Sequence, residues 1–77
     1  MPGLGPQRRR TLASALRKNG LSEYEGRGKG SHTWWEHPDN PSLCAAMPGK
    51  AEIRAGTARQ ILEDTGKTVE HYLDVIG

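Results

Sequence analysis

The sequence predicts a small α+β domain with the order helix, three strands, helix, helix. Apolar residues recur at helical spacing near the N-terminus and again after residue 57, whereas the middle of the chain reads as short strands separated by turn residues. Short turns between strands predict an antiparallel sheet. Runs of strands flanked by helices are typical of domains in which the helices cover one face of that sheet.

The first element is predicted to be a helix over Gln7–Asn19, after a flexible lead of residues 1–6. Leu12 and Leu16 lie one turn apart in it, and Asn19-Gly20 is a typical C-terminal stop. The arginine triplet 8–10 then falls at the positive end of the helix dipole, where cations are unfavourable, which suggests a role outside the helix. The alternative is a later start at an N-cap Thr11, with the arginines in a solvated tail.

Three strands are predicted next, over Glu23–Lys29, Ser31–His37 and Ser42–Met47. The sequence HPDNP at residues 37–41 has the composition of a turn, and Pro48-Gly49 ends the third strand. Alternation along the second strand predicts that one of its two adjacent tryptophans enters the core while the other lies on the opposite face.

Two helices complete the prediction. Thr57 and Gln60 have the spacing of a capping box, and Gly66 is placed to end the helix that they begin. Thr68 is predicted to cap a last helix, whose apolar positions follow one face. Residues 7–77 are therefore expected to form one RNA-binding or nuclease domain, for the reasons of charge and chemistry that follow.

The charge is unevenly distributed along the 77 residues. Residues 1–35 carry seven cations and two acids, and residues 36–77 carry four cations and seven acids. A basic half of this kind favours a nucleic-acid partner over a merely uneven surface. No apolar run approaches the roughly 20 residues that span a bilayer, no signal peptide is visible, and Cys44 is the one cysteine. We therefore expect a cytoplasmic protein without a membrane partner.

The stretch GRGKGSHTWW, at residues 26–35, concentrates the residues that bear chemistry. It matches neither the Walker A motif nor the dinucleotide-binding fingerprint, and a predicted strand rather than a helix follows it. The histidines and Cys44 match no zinc spacing, so we expect no metal and no cofactor.

Metal-free RNA cleavage suits this stretch better. Histidine exchanges protons near neutral pH and can activate a 2′-OH or protonate a leaving oxygen. Arg27 and Lys29 are suited to binding the phosphate, and Ser31 to orienting His32 or the phosphate by a hydrogen bond. The alternatives are that His32 is an ordinary surface histidine and that both tryptophans serve the core or a partner contact rather than base stacking.

The order of motifs resembles one family. G-K-G-S-H-T-W-W follows a helix that ends L-R-K-N-G-L, and A-A-M-P-G-K and R-A-G-T-A-R-Q-I-L-E-D-T-G come after it. This order, over roughly residues 7–70, resembles the HicA-type toxins, which are small mRNA interferases of bacterial toxin–antitoxin pairs. The resemblance implies a double-stranded-RNA-binding-domain-like fold, endonucleolytic cleavage of mRNA without a required metal, His32 as the essential histidine, and a HicB-type antitoxin that covers the site.

One position departs from the family pattern. Many members have a histidine after the V-P strand end, whereas this chain has Met47-Pro48-Gly49-Lys50. Lys50 is suited to binding a phosphate, but a lysine ammonium is a poor proton donor at neutral pH. The acid partner of His32 therefore stays open. The rival functions are a non-catalytic RNA-binding module, which would bind duplexes without cutting them, and an adaptor that binds only a partner protein.

Overall fold

A computed structural model of the chain describes residues 4–24 and 32–76. These residues form an α+β unit with three helices, a three-stranded antiparallel sheet and a second, two-stranded pairing, which confirms the predicted class. The elements in chain order are β1 (Gln7–Arg8), α1 (Arg9–Lys18), β2 (Ser22–Tyr24), β3 (Thr33–His37), β4 (Asn40–Met47), β5 (Glu52–Ile53), α2 (Ala55–Asp64) and α3 (Val69–Ile76).

The main sheet has the strand order β2-β3-β4, and both pairings are antiparallel. The turn between β3 and β4 is tighter than predicted, because β4 begins at Asn40 and pairs there with His37. The backbone N–H of Asp39 donates to His37 Nδ1 at 3.1 Å, which fixes this two-residue connection. β4 ends at Met47, directly before Pro48-Gly49, as predicted.

The two tryptophans lie on opposite faces of the sheet, as alternation predicts. Trp35 is fully buried, and its cross-strand partner Ala45 is buried on the same face. α1 packs on this side at β2 and α2 packs at β4, so helices cover one face, as in a small double-stranded-RNA-binding-domain-like fold. Trp34 is only half-buried on the other face, where its indole N–H donates to Glu36 at 3.1 Å.

The N-terminal segment differs from the prediction. α1 begins at Arg9, later than the predicted Gln7 and earlier than the alternative Thr11, because Gln7 and Arg8 pair with β5 instead of joining the helix. Nothing in the periodicity indicates this pairing, since a strand of two residues has no alternation to detect. Leu4, within the predicted lead, is packed in the core at 7% exposure.

Both predicted glycine stops are confirmed. Gly20 has φ +88° and Gly66 has φ +78°, and each follows the end of a helix. The predicted capping box is wrong: α2 begins at Ala55, and no side chain caps it. Thr57 therefore lies within the first turn rather than at the N-cap, and Gln60 donates to Asp64 at 2.8 Å instead of reaching back.

α3 lies against α1 and α2, and its start is as predicted. Thr68 Oγ1 accepts a hydrogen bond from the backbone N–H of His71 at 3.0 Å, which is an N-cap contact. Tyr72 is 2% exposed, and its hydroxyl donates to Gln7 Oε1 at 2.8 Å. The last helix is thereby connected to β1. None of the helices in the described residues has the length and apolarity needed to cross a membrane.

Candidate functional site

The register of β3 and β4 places His32 close to the loop that carries Lys50. Thr33 pairs with Met47, so the residues beyond this pair, His32 and Pro48, emerge side by side at one end of the sheet. From there the chain continues into β5 and the start of α2. A cleft of about 260 Å³ opens at this point, and we call it the histidine cleft; its lining residues are His32, Pro48, Lys50, Glu52, Ile53, Arg54 and Thr57.

Arg9 connects the strand ends that flank His32. Its Nε donates to the carbonyl oxygen of Pro48 at 3.2 Å, and its Nη2 lies 3.4 Å from Thr33 Oγ1. The backbone N–H of Arg9 also donates to the carbonyl of Ala51 at 2.9 Å. The guanidinium further lies 3.6 Å from Glu23 Oε2, and Arg17 approaches the same carboxylate at 3.4 Å. The first residue of α1 thus holds β3 and the segment 48–51 in a fixed relation.

The histidine cleft suits a negatively charged group. Lys50 and Arg54 are exposed cations, and Arg54 is also the N-cap residue of α2. The first turn of α2 contains no acid, and within the described residues no side-chain hydrogen bond caps this end of the helix. Free N–H groups and the helix dipole both favour an anion at such an end. Glu52 adds one carboxylate to the same lining.

A second cleft, of about 410 Å³, lies beside the start of α1. Its lining is formed by Arg8, Arg9, Arg10, Gly49 and Ala51, and we call it the arginine cleft. The segment 48–54 contributes to both clefts, with Gly49 and Ala51 on one and Pro48, Lys50 and Glu52 on the other. Arg8 and Arg10 are exposed, whereas Arg9 is half-buried by the contacts described above.

A family model of the HicA toxin of bacterial toxin–antitoxin systems matches residues 9–67 of the chain. The chain belongs to the HicA toxin family. This membership confirms the resemblance drawn from the sequence and identifies the protein as a toxin with an antitoxin partner. A search of curated proteins found no significant match.

The matched region of this HicA toxin contains the whole lining of the histidine cleft and ends before α3. Two of the residues predicted from the sequence, His32 and Lys50, line that cleft together. The other three, Arg27, Lys29 and Ser31, lie outside the described residues.

Sequence reasoning missed the three other polar residues of the cleft in this toxin: Glu52, Arg54 and Thr57. Arg54 directly precedes α2, so its position depends on where that helix begins, and the expected start at Thr57 concealed it. Glu52 lines the cleft from β5, a strand of two residues whose pairing with β1 the sequence does not indicate. Within residues 4–24 and 32–76, no three His, Cys, Asp or Glu side chains come together to hold a metal ion.

Proposed function

We propose that this HicA toxin is an endoribonuclease that cleaves mRNA without a metal, with His32 transferring a proton in the reaction. The observation that carries the proposal is the histidine cleft, in which the imidazole shares one lining with Lys50, Arg54 and the uncapped start of α2. A proton-exchanging group beside several anion ligands is what phosphate-ester cleavage by an adjacent hydroxyl requires.

The reaction would proceed by transesterification. The 2′-oxygen of a ribose attacks the adjacent phosphorus, the bond from phosphorus to the 5′-oxygen breaks, and the products end in a 2′,3′-cyclic phosphate and a 5′-hydroxyl. One proton leaves the 2′-hydroxyl and one reaches the 5′-oxygen. Lys50, Arg54 and the first N–H groups of α2 would bind the non-bridging oxygens, where charge grows in the transition state.

Glu52 is our candidate for the second proton-transfer group. It lines the histidine cleft together with His32, and a carboxylate accepts a proton at neutral pH more readily than a lysine ammonium does. In this assignment Glu52 takes the proton of the 2′-hydroxyl, and His32, in its protonated form, donates to the 5′-oxygen. Lys50 then acts through its charge alone, so the absence of a second histidine at that position is compatible with cleavage.

The proposal also includes the predictions that the sequence makes for the residues before His32, for the substrate and for the antitoxin. Arg27, Lys29 and Ser31 precede His32 directly and would add phosphate ligands. The substrate would be cytoplasmic mRNA, and a HicB-type antitoxin would neutralise the toxin by covering the histidine cleft. Adding that antitoxin should therefore abolish both RNA binding and cleavage, whereas retained RNA binding in the complex would contradict the covering mechanism.

The experiment that tests the activity compares two histidine variants. The purified toxin, His32→Ala and His71→Ala are incubated with single-stranded RNA in EDTA, and fragments with 2′,3′-cyclic phosphate ends are measured. His71 is an exposed histidine of α3, away from the cleft. We expect His32→Ala to lose at least about 100-fold in rate, as for removal of a proton-transfer group, and His71→Ala to keep its rate. Unchanged cleavage by His32→Ala, or binding of RNA by the wild type without any fragments, would overturn the proposal.

A substrate with sulfur in place of the bridging 5′-oxygen separates the two roles of His32. A thiolate leaves without a proton, so this substrate needs no acid. If His32 is the acid, the defect of His32→Ala disappears on it. A defect of unchanged size would instead make His32 the base and would contradict our assignment of Glu52.

A further inference from the structure

The arginine cleft has a composition that the fold itself does not require. Three consecutive arginines lie at the N-terminal end of α1: Arg8 is the N-cap residue, and Arg9 and Arg10 are the first two helical residues. The helix dipole disfavours cations there, and the first turn contains no acid to offset them. Arg9 is engaged within the protein, with the ends of β3 and β4. Among the described residues, no side-chain hydrogen bond or ion pair joins Arg8 or Arg10 to the rest of the protein, so their placement requires a different explanation.

Arg8 and Arg10 present their charge to solvent. Both are exposed and line the arginine cleft. Within the described residues, the ion pairs of the N-terminal region join Arg9 and Arg17 to Glu23, and no carboxylate pairs with Arg8 or Arg10. Although Arg8 lies opposite Glu52 in the register of β1 and β5, Glu52 lines the other cleft. Two guanidinium groups thus share an open cleft with the small residues of the segment 48–51.

We infer that the arginine cleft is a second phosphate site, in which Arg8 and Arg10 bind a backbone phosphate of the RNA at a distance of one or more nucleotides from the cleaved one. Guanidinium groups bind phosphate through paired N–H donors, and Gly49 and Ala51 leave room for the backbone to approach. Both clefts take lining residues from the segment 48–54, with Gly49 and Ala51 in one and Pro48, Lys50 and Glu52 in the other, so an RNA strand that occupies both must pass over this segment. The inference rests on the proposed function for its ligand, single-stranded RNA.

Binding without cleavage tests this site separately from catalysis. The probes are fluorescein-labelled, fully 2′-O-methylated RNA oligonucleotides of three and eight nucleotides, which lack the attacking hydroxyl. Anisotropy titrations at several salt concentrations compare the wild-type toxin with Arg8→Gln/Arg10→Gln. Arg59→Gln/Lys67→Gln is the matched control, because it removes the same charge from residues that line neither cleft. Arg8→Lys/Arg10→Lys keeps the charge at the site.

The expected result is a loss confined to the longer probe. Each phosphate contact on a single strand contributes about 0.7 to the slope of log K against log salt, so loss of two contacts lowers the slope by about 1.4. At 0.15 M salt this corresponds to about a tenfold weaker affinity for the eight-nucleotide probe. The three-nucleotide probe, which fills the histidine cleft alone, should bind both proteins equally. The lysine variant should keep the salt slope of the wild type but recover only part of the affinity, because it keeps the charge and lacks the paired N–H donors.

The outcomes that overturn the inference are distinct from those that overturn the proposed function. An unchanged slope for Arg8→Gln/Arg10→Gln, or an equal loss in the Arg59→Gln/Lys67→Gln control, removes the second site. A wild type that binds the eight-nucleotide probe through Arg8 and Arg10 but never cleaves unmodified RNA removes the nuclease proposal and leaves the site in place. A wild type that binds neither probe removes both.

Discussion

Tyr72 tests whether the last helix belongs to the folded core, because α3 lies outside the region that matches the family. Its ring is 2% exposed and its hydroxyl donates to Gln7 in β1 at 2.8 Å. Truncation to alanine removes a buried aromatic ring, which costs about 3–5 kcal/mol, and replacement by phenylalanine removes one hydrogen bond, which costs about 1 kcal/mol. A domain of 77 residues has a total stability of about 4–12 kcal/mol, so the first loss is a large share of it.

Thermal unfolding followed by circular dichroism measures both losses. One kcal/mol corresponds to about 4–8 °C in a domain of this size, so Tyr72→Phe should lower Tm by about that amount and Tyr72→Ala by at least about 12 °C. Asp74→Ala, at an exposed position of the same helix, is the control and should stay within about 0.5 kcal/mol of the wild type. A Tyr72→Ala variant with the Tm of the wild type would refute the packing of α3 on the core.

The same residue gives a pH dependence. Burial raises the pKa of the Tyr72 phenol above its ordinary value of 10.0. Below pH 10 the phenol is neutral in the folded and unfolded states, so its ionisation does not affect stability. Above pH 10 the unfolded chain loses this proton first, and the folded state loses stability as the pH rises through the raised value. The stability advantage of the wild type over Tyr72→Phe should therefore shrink above pH 10, and a constant advantage would contradict the raised pKa.

Three further predictions concern the turn after α1, the arginine that orders the site and the second proton-transfer group. Gly20→Ala should cost at least about 1–2 kcal/mol in urea unfolding, because φ is +88° and the new Cβ would lie 3.1 Å from His37 Nε2, whereas Gly56→Ala, with open space around its Cβ in α2, should stabilise by up to about 1 kcal/mol. Equal effects of the two would refute the left-handed turn. Arg9→Gln should lower the cleavage rate while leaving the salt slope of RNA binding near that of the wild type, since Arg9 acts through the strand ends; a slope reduced by about 0.7 would instead make it a phosphate ligand. Glu52→Gln should reduce kcat at least about 100-fold with little change in RNA affinity, and retained kcat would exclude it as the base.

The sequence predicts those parts of the fold that depend on local chemistry. Opposite faces for Trp34 and Trp35, the glycine stops at Gly20 and Gly66, and the Thr68 cap all follow from the preferences of single residues or from strand alternation, and the structure confirms each. These features need no knowledge of distant partners, because the conformation they require is encoded within a few residues.

The wrong predictions concern features that depend on residues distant in sequence. The pairing of β1 with β5 joins residues separated by more than forty positions, and each strand is too short to have a period. The capping-box pattern at Thr57 is compatible with a helix start, but the helix begins three residues earlier, with Arg54 as the N-cap residue whose carbonyl accepts the hydrogen bond from Ala58 at 2.8 Å. A local sequence pattern does not distinguish between two nearby helix starts when the pairing of the preceding strand determines where the helix begins.

The candidate site shows the same division. His32 follows from its chemistry and Lys50 from the resemblance, but Glu52 and Arg54 enter the histidine cleft through the β1–β5 pairing and the early start of α2. The histidine, the carboxylate and the two cations of this cleft are spread over some twenty residues of sequence. They line one cleft because Pro48, at the end of β4, lies beside His32.

The arginine triplet illustrates why charge alone could not assign roles. In the sequence, residues 8–10 are three consecutive arginines that cannot be told apart, which suggests one common role for them. The strand–helix boundary between Arg8 and Arg9 turns the middle side chain toward Thr33 and Pro48 and leaves its neighbours exposed in the arginine cleft. Because Arg9 is half-buried and contacts both Glu23 and the carbonyl of Pro48, its guanidinium is the least available of the three to an RNA phosphate. Arg8 and Arg10 should therefore contribute to the salt dependence of RNA binding, whereas Arg9 should contribute to the geometry of the strand ends beside His32.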